Sequence, residues 1–168
     1  RDGLADGNGG GAIVSLELLT LTRLRLENNN AGVGSGGAVR LQAGTLLVQN
    51  SLFKGNSAPD ASFGLGGAIS ASNLTTSLQI VSSVFDGNSA QLGGGAVYSL
   101  ATNTTAFNST FARNTASANL GGGALNVPGA SLSIDRSWIT ENSVGAPGGG
   151  IQFSGNTPTL PRTTLYNN

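Results

Sequence analysis

The chain has 168 residues, of which 38% are hydrophobic and 10% are charged, and its formal net charge is zero. It contains no His and no Cys, which excludes disulfide bridges, thiol nucleophiles and Ser-His-Asp triads and removes the usual ligands of transition metals. We therefore expect no metal and no cofactor. The absence of a basic stripe predicts no nucleic-acid partner, and the absence of a long apolar run predicts no membrane insertion by this segment.

Two motifs alternate along the chain in a fixed order. The first, three small residues followed by an aliphatic residue, occupies residues 10–13, 36–39, 66–69, 94–97, 122–125 and 148–151. The second is a large apolar residue three positions before an Asn, in the pairs Leu26/Asn29, Phe53/Asn56, Phe85/Asn88, Phe111/Asn114, Ile139/Asn142 and Leu165/Asn168. The third small residue precedes the Asn by 17 to 20 residues, whereas 8 to 12 residues separate that Asn from the next third small residue. We call these two segments the constant arc, from the first motif to the Asn, and the variable arc, from the Asn to the next copy of the first motif. A segment of nearly constant length alternating with one of variable length is typical of a solenoid repeat.

Between the two motifs, apolar residues alternate with other residues. The apolar pairs, in chain order, are Leu19/Leu21, Val39/Leu41, Leu46/Val48, Leu78/Ile80, Leu125/Val127, Leu132/Ile134 and Ile151/Phe153. This period of two indicates short strands, and roughly 27 residues would trace a closed circuit of about 90 Å. The sequence therefore predicts one domain over residues 1–168, an all-β, right-handed, single-stranded parallel β-helix of six coils.

Each repeated residue type has an expected place in such a coil. The glycines allow a positive φ and close packing at one corner. The large apolar residues of the second motif, Leu26, Phe53, Phe85, Phe111, Ile139 and Leu165, are expected to form one core stack. The ladder residues, Asn29, Asn56, Asn88, Asn114, Asn142 and Asn168, are expected to adopt the left-handed conformation at the next corner and to hydrogen-bond from coil to coil.

The alternation of GGA[I/V/L] with FxxN resembles the repeats of chlamydial polymorphic outer-membrane proteins and of related surface proteins of environmental bacteria and algae. Five GGA[I/V/L] copies and three strict FxxN copies, at Phe53, Phe85 and Phe111, carry the resemblance across the chain. It implies a β-helix displayed outside the cell, at the cell surface, with an adhesive or structural role. The fold supports many functions, so the resemblance bears more directly on fold than on activity.

Two kinds of candidate site remain. Sequons for N-glycosylation occur at Asn73, Asn103 and Asn108, all between the two motifs and away from the ladder. The acidic residues are scattered rather than clustered, and Glu141 aligns with Arg113 one coil earlier, which predicts a surface ion pair instead of a catalytic carboxylate pair.

We accordingly expect a non-catalytic structural or adhesive module of an extracellular stalk or filament, and no enzyme. The variable arc of residues 56–68, with Pro59 and Phe63, is expected to present side chains to a surface glycan or to another cell-surface protein. The alternative is a carbohydrate-binding or carbohydrate-active β-helix of the lyase or hydrolase type. We further expect the chain to be an excerpt of a longer solenoid, or to stack end to end with copies of itself or neighbouring β-helices.

Overall fold

The computed structural model describes residues 3–4, 9–118, 120–145 and 148–168, except for the side chain of residue 73. Nineteen strands and no helix are present in these ranges. The first nine strands are β1 (Ile13–Ser15), β2 (Leu19–Thr22), β3 (Arg25–Glu27), β4 (Val39–Gln49), β5 (Leu52–Lys54), β6 (Ser57–Ala58), β7 (Ile69–Val81), β8 (Val84–Asp86) and β9 (Ser89–Ala90). The others are β10 (Val97–Ser99), β11 (Asn103–Phe107), β12 (Thr110–Ala112), β13 (Thr115–Ala116), β14 (Leu125–Val127), β15 (Ser131–Asp135), β16 (Trp138–Thr140), β17 (Ser143–Val144), β18 (Ile151–Phe153) and β19 (Thr164–Tyr166).

The strands form three parallel sheets, one on each side of the coil. The first sheet has the order β1-β4-β7-β10-β14-β18, with β2 beside β4 and with β11 and β15 continuing from β7. The second has the order β3-β5-β8-β12-β16-β19, and the third has the order β6-β9-β13-β17. Sequence neighbours lie in different sheets and equivalent strands of successive coils pair, which is the topology of a parallel β-helix.

The register confirms that equivalent motif residues lie above one another. The aliphatic residues of the first motif form one unbroken series of paired positions, Ile13, Val39, Ile69, Val97, Leu125 and Ile151. The backbone thus makes six layers, in which about five turns are complete between the first and last of these residues. β4 and β7 are long because each runs continuously along two of the expected strand segments, with register shifts between Leu41 and Ala43 and between Gly44 and Thr45.

The core is a set of vertical columns of apolar side chains. Phe53, Phe85 and Phe111 are fully buried, and their rings stack with centroids 4.7 and 5.0 Å apart. Leu26 and Ile139 extend the same column and are also buried, whereas Leu165 in the last layer is 49% exposed. Aromatic side chains bury a large apolar area, and each one here is covered by its equivalents above and below. This core exists only because the coils are stacked.

The glycine corner has two distinct functions. The first Gly of the motif takes a positive φ in the second to sixth copies, as at Gly66 (φ 65°) and Gly94 (φ 64°). The second Gly lies so close to the next coil that a Cβ on Gly95 would stand 2.1 Å from the carbonyl oxygen of Gly123. The same contact recurs in the layers of Gly37, Gly67 and Gly123. Only a residue without a side chain fits at this second position.

One expectation about the other corner is wrong. The ladder residues do not adopt the left-handed conformation, which belongs instead to the residue immediately before each of them. These preceding residues are Asn28, Gly55, Gly87, Arg113, Glu141 and Asn167, with φ between 51° and 61°. The Asn that follows this turn has a negative φ, and its side chain hydrogen-bonds with the neighbouring coils.

Two substitutions distinguish close packing from backbone conformation. Gly95→Ala places Cβ against main-chain atoms of two segments, the Gly123 oxygen at 2.1 Å and the Thr115 nitrogen at 2.6 Å. We expect it to lower the free energy of unfolding by about 3 kcal/mol or more. Gly87→Ala meets no atom within 4 Å at φ 61°, so it costs only the left-handed penalty of about 1–2 kcal/mol. Urea denaturation of both variants measures the difference, and equal losses would contradict the close-packing role.

Candidate functional site

The six ladder residues form a continuous column of side-chain hydrogen bonds. Each carboxamide nitrogen donates to the Oδ1 atom of the Asn in the next coil, at 2.8 to 2.9 Å in all five steps. The backbone N–H of each Asn donates to the same oxygen, at 2.9 to 3.1 Å. The asparagine ladder predicted from the sequence is therefore confirmed, from Asn29 to Asn168.

The same carboxamides also reach back to the preceding coil. The nitrogen of Asn88 donates to the carbonyl oxygen of Phe53 at 3.1 Å, and that of Asn114 donates to the carbonyl oxygen of Phe85 at 3.0 Å. Asn56 and Asn142 are bonded in the same way. These side chains are buried, and buried polar groups need hydrogen-bond partners. Each ladder position therefore requires a side chain that, like a carboxamide, has two N–H donors and an oxygen acceptor.

A second ladder, of hydroxyl groups, was missed by the sequence reasoning. Ser51, Ser83, Ser109 and Ser137 each accept a hydrogen bond from the backbone N–H of the equivalent residue one coil earlier, at 3.1 to 3.2 Å. Each hydroxyl donates to the carbonyl oxygen two residues before it. The available signal was a Ser or Thr two positions before the large apolar residue in five of six coils, with Leu24 as the exception.

The two sequons whose side chains are described lie on the outer surface. Asn103 is exposed in β11, and its Oδ1 accepts a hydrogen bond from the Ser131 hydroxyl at 2.8 Å. Asn108 is exposed at a corner with φ 50°, and its carboxamide donates to the Ser82 hydroxyl at 3.1 Å. The side chain of Asn73 lies outside the described residues. Glycosylation of the three residues remains a prediction.

Several acidic side chains are paired with arginines. The guanidinium of Arg113 lies 2.7 Å from Asp86 and 3.8 Å from Glu141, so the expected pair with Glu141 is present but Asp86 is the closer partner. Asp135 forms two hydrogen bonds with Arg162, which lower the pKa of the Asp135 carboxyl below its usual value. Among the described residues, no group of three or more His, Cys, Asp or Glu is placed to hold a metal ion.

The variable arc of residues 56–68 forms an ordered loop with an exposed aromatic ring. The carboxylate of Asp60 accepts hydrogen bonds from the backbone N–H groups of Ser62 and Phe63, at 2.9 and 2.6 Å. The Ser35 hydroxyl from the previous coil donates to the carbonyl oxygen of Phe63. The Phe63 side chain is 60% exposed. The loop backbone is thus held on both sides while the ring faces solvent.

The outer face of the second sheet carries a further apolar group, which the sequence reasoning did not identify. Leu52, Val84, Thr110 and Trp138 occupy equivalent positions in successive strands. Trp138, the only Trp of the chain, is 51% exposed. The sequence does carry a signal for this group: in three coils an apolar residue directly precedes the buried large apolar residue of the second motif, where the side chain must point outward.

A small concave site lies on the outside of the first sheet. Its volume is about 210 Å³, and Tyr98, Asn126, Gln152 and Ser154 contribute its polar lining. The Asn126 carboxamide donates to the Leu120 carbonyl oxygen at 2.7 Å, which fixes a loop at the rim. Burial raises the pKa of the Tyr98 hydroxyl, so this group is a neutral donor at physiological pH.

Comparison with known families gives one match. The model of the Chlamydia polymorphic membrane protein (Chlamydia_PMP) repeat matches residues 82–100, a segment that holds Phe85, Asn88 and the GGA motif that follows. The resemblance inferred from the sequence is confirmed for this segment. No curated protein and no solved structure is significantly similar to the chain. The described residues include no helix long and apolar enough to cross a bilayer.

Removal of one ladder side chain tests the stabilising role of the column. Asn88→Ala removes two donated and two accepted side-chain hydrogen bonds. It leaves the backbone N–H and one carboxamide hydrogen of Asn56 without their acceptor and removes a donor from the Phe53 carbonyl oxygen, whereas the Oδ1 atom of Asn114 keeps the backbone N–H of residue 88. At about 1–3 kcal/mol for each unsatisfied group, we expect a loss of at least about 3 kcal/mol in urea denaturation. The control is Asn103→Ala, since that side chain is exposed, and it should change stability by less than about 0.5 kcal/mol. Equal effects would contradict the role of the ladder.

Proposed function

We propose that this β-solenoid, which carries a repeat of the chlamydial polymorphic membrane protein family, is an extracellular module of a cell-surface protein with a structural and adhesive role. The observation that carries the proposal is the position of Phe63, an exposed ring on a hydrogen-bonded loop that projects from a rigid stack of coils. An aromatic side chain on a backbone that is already held in place needs little further ordering on binding, and it contributes strongly when a partner buries it. The partner of this loop is another cell-surface protein.

The stacked architecture supports the structural part of the proposal. Every layer adds about 4.8 Å along the solenoid axis, and each layer is connected to the next by strand pairing, by the asparagine ladder and by the core columns. A module of this kind holds its loops at a fixed distance from the surface that anchors it. Its length increases with the number of repeats without any change in the core.

The state of the acidic groups supports a non-catalytic role. A glycoside hydrolase needs a general acid whose pKa is raised, together with a second carboxylate close by. The pKa of Asp135 is instead lowered by Arg162, and Asp86 and Glu141 lie on either side of the cationic Arg113. The lowered pKa of the Asp135 carboxyl does not fit a general acid of the kind that a glycoside hydrolase requires.

A bead-attachment assay tests the adhesive role. Fluorescent beads coated with the protein are applied to cultured epithelial cells, and Phe63→Ser is compared with Leu74→Ser, a control at a side chain that is 70% exposed outside the loop. We expect Phe63→Ser to reduce attachment by about tenfold, the effect of losing one well-buried contact, and Leu74→Ser to leave it unchanged. Protease treatment of the cells should abolish attachment. Attachment that is insensitive to Phe63→Ser, or no greater than that of albumin-coated beads, would contradict the proposal.

A second candidate function, the binding of a neutral saccharide, is favoured by the concave site beside Tyr98. Its lining combines an aromatic ring with carboxamides and hydroxyls and contains no charged side chain, a composition suited to a sugar ring with several hydroxyls. A glycan array separates the two candidates. If the site beside Tyr98 binds a saccharide, the protein should bind specific glycans on the array, Tyr98→Ala should abolish that binding and Phe63→Ser should leave it unchanged. Release of soluble sugars from a polysaccharide would contradict the non-catalytic role.

A further inference from the structure

We infer that the concave site on the outside of the first sheet binds an N-acetylated hexosamine through its acetamido group. This specificity rests on the second candidate function, the binding of a neutral saccharide, and it names the group that the site recognises. Three features of the site complement an acetamido group. They are a fixed hydrogen-bond acceptor, a neutral hydrogen-bond donor and an apolar rim.

The site opens sideways from the solenoid. Tyr98, Asn126 and Gln152 occupy paired positions in β10, β14 and β18, and β10 also pairs with β7, so the first two residues each have a paired strand on both sides. They face outward, because Val97 and Leu125, which precede them, belong to the core and neighbouring residues of a strand point to opposite faces. The volume of about 210 Å³ is below the roughly 300 Å³ at which sites for drug-sized ligands begin. The site therefore suits one sugar residue.

The fixed acceptor is the Oδ1 atom of Asn126. This residue is only 4% exposed, and its Nδ2 group donates to the carbonyl oxygens of Leu120 at 2.7 Å and of Gly121 at 3.3 Å. These two carbonyls fix the orientation of the carboxamide, because turning it over would replace the donor by an oxygen. No described residue donates to Oδ1, and this atom is reachable from solvent. Since an acceptor in a buried residue needs a donor, the site offers Oδ1 to an N–H group of a ligand.

The neutral donor is the phenolic hydroxyl of Tyr98. Burial raises the pKa of this hydroxyl, so it keeps its proton at physiological pH and can donate to a carbonyl oxygen. An acetamido group has an N–H that only donates and a carbonyl oxygen that only accepts, which matches the acceptor of Asn126 and the donor of Tyr98. The hydroxyl at the same ring position of a plain hexose supplies one polar atom in place of two.

The apolar rim consists of Leu120 and Pro128, which line the site next to its polar groups. Leu120 is 50% exposed, and the hydrogen bond from Asn126 to its carbonyl oxygen holds its backbone in place. The acetyl methyl group would remove apolar surface of this rim from water, which a hydroxyl group does not do. The lining contains no carboxylate, so the ammonium group of an unacetylated amino sugar has no ionic partner. The rim thus favours the acetylated form of an amino sugar.

Ligand-observed NMR with four matched sugars tests this inference. The methyl glycosides of N-acetylglucosamine and N-acetylgalactosamine are compared with those of glucose and of unacetylated glucosamine, by saturation transfer and by titration of the 168-residue chain. Tyr98→Phe removes the donor and keeps the ring, and Leu120→Ser removes part of the rim. The control variant is Val84→Ser, since Val84 is 40% exposed on the second sheet. Thermal unfolding of all three variants verifies that they fold.

We expect at least one acetylated sugar to bind about tenfold or more tightly than the glucoside and the glucosaminide, with the strongest saturation on its acetyl methyl protons. Tyr98→Phe should weaken this binding about tenfold, the effect of one hydrogen bond, and Leu120→Ser about threefold or more, whereas Val84→Ser should leave it unchanged.

Three results would overturn the inference, and they separate it from the function on which it rests. Equal binding of the glucoside, weakened by Tyr98→Phe, would overturn the acetamido specificity and leave saccharide binding at this site standing. Binding of the acetylated sugars that neither Tyr98→Phe nor Leu120→Ser changes would place them at another site. Absence of binding by all four sugars would overturn both the specificity and the second candidate function. The adhesive role is tested separately at Phe63.

Discussion

The buried carboxamide column is the constraint on which the remaining structure depends. A carboxamide at the corner of a coil has both donors and an acceptor to satisfy away from water. In this chain it does so by lying directly over its equivalent, 2.8 to 2.9 Å from one Oδ1 atom to the next nitrogen. That requirement sets the register of all three sheets, because a coil shifted by one residue would break the ladder and move the apolar residues out of the core.

The functional surfaces follow from the division between constant and variable parts of the coil. The inward positions and the corners carry the ladders, the glycine contacts and the stacked rings of Phe53, Phe85 and Phe111. The outward positions have no such requirement, so exposed groups such as Phe63 and Trp138 are held at fixed positions without affecting the core. A repeat protein of this design changes its binding surface in its loops and keeps its scaffold.

The sequence was sufficient to predict the layers, the ladder and the core column, because each of these repeats one residue type in register. It was insufficient where unlike residues share a role. The left-handed corner before the ladder is occupied by Asn, Gly, Arg and Glu in different coils, so no residue type marks it. In the fourth coil Thr104 and Ala106 replace the aliphatic pair, and Thr104 is accommodated in the core by a 2.8 Å hydrogen bond with Ser99. The exposure of Trp138 could have been predicted, because Trp138 directly precedes the buried Ile139 in β16 and neighbouring residues of a strand point to opposite faces.

The most direct test of the central claim is the measurement of proton contacts between equivalent residues by NMR, in protein labelled at Phe and Asn. With ring centroids 4.7 and 5.0 Å apart, the account predicts nuclear Overhauser effects between Phe53 and Phe85 and between Phe85 and Phe111. It predicts none between Phe53 and Phe111, since a full ring separates them. Rings that show no mutual contacts, or direct contacts between the outer two, would contradict the vertical register from which the fold and both proposals derive.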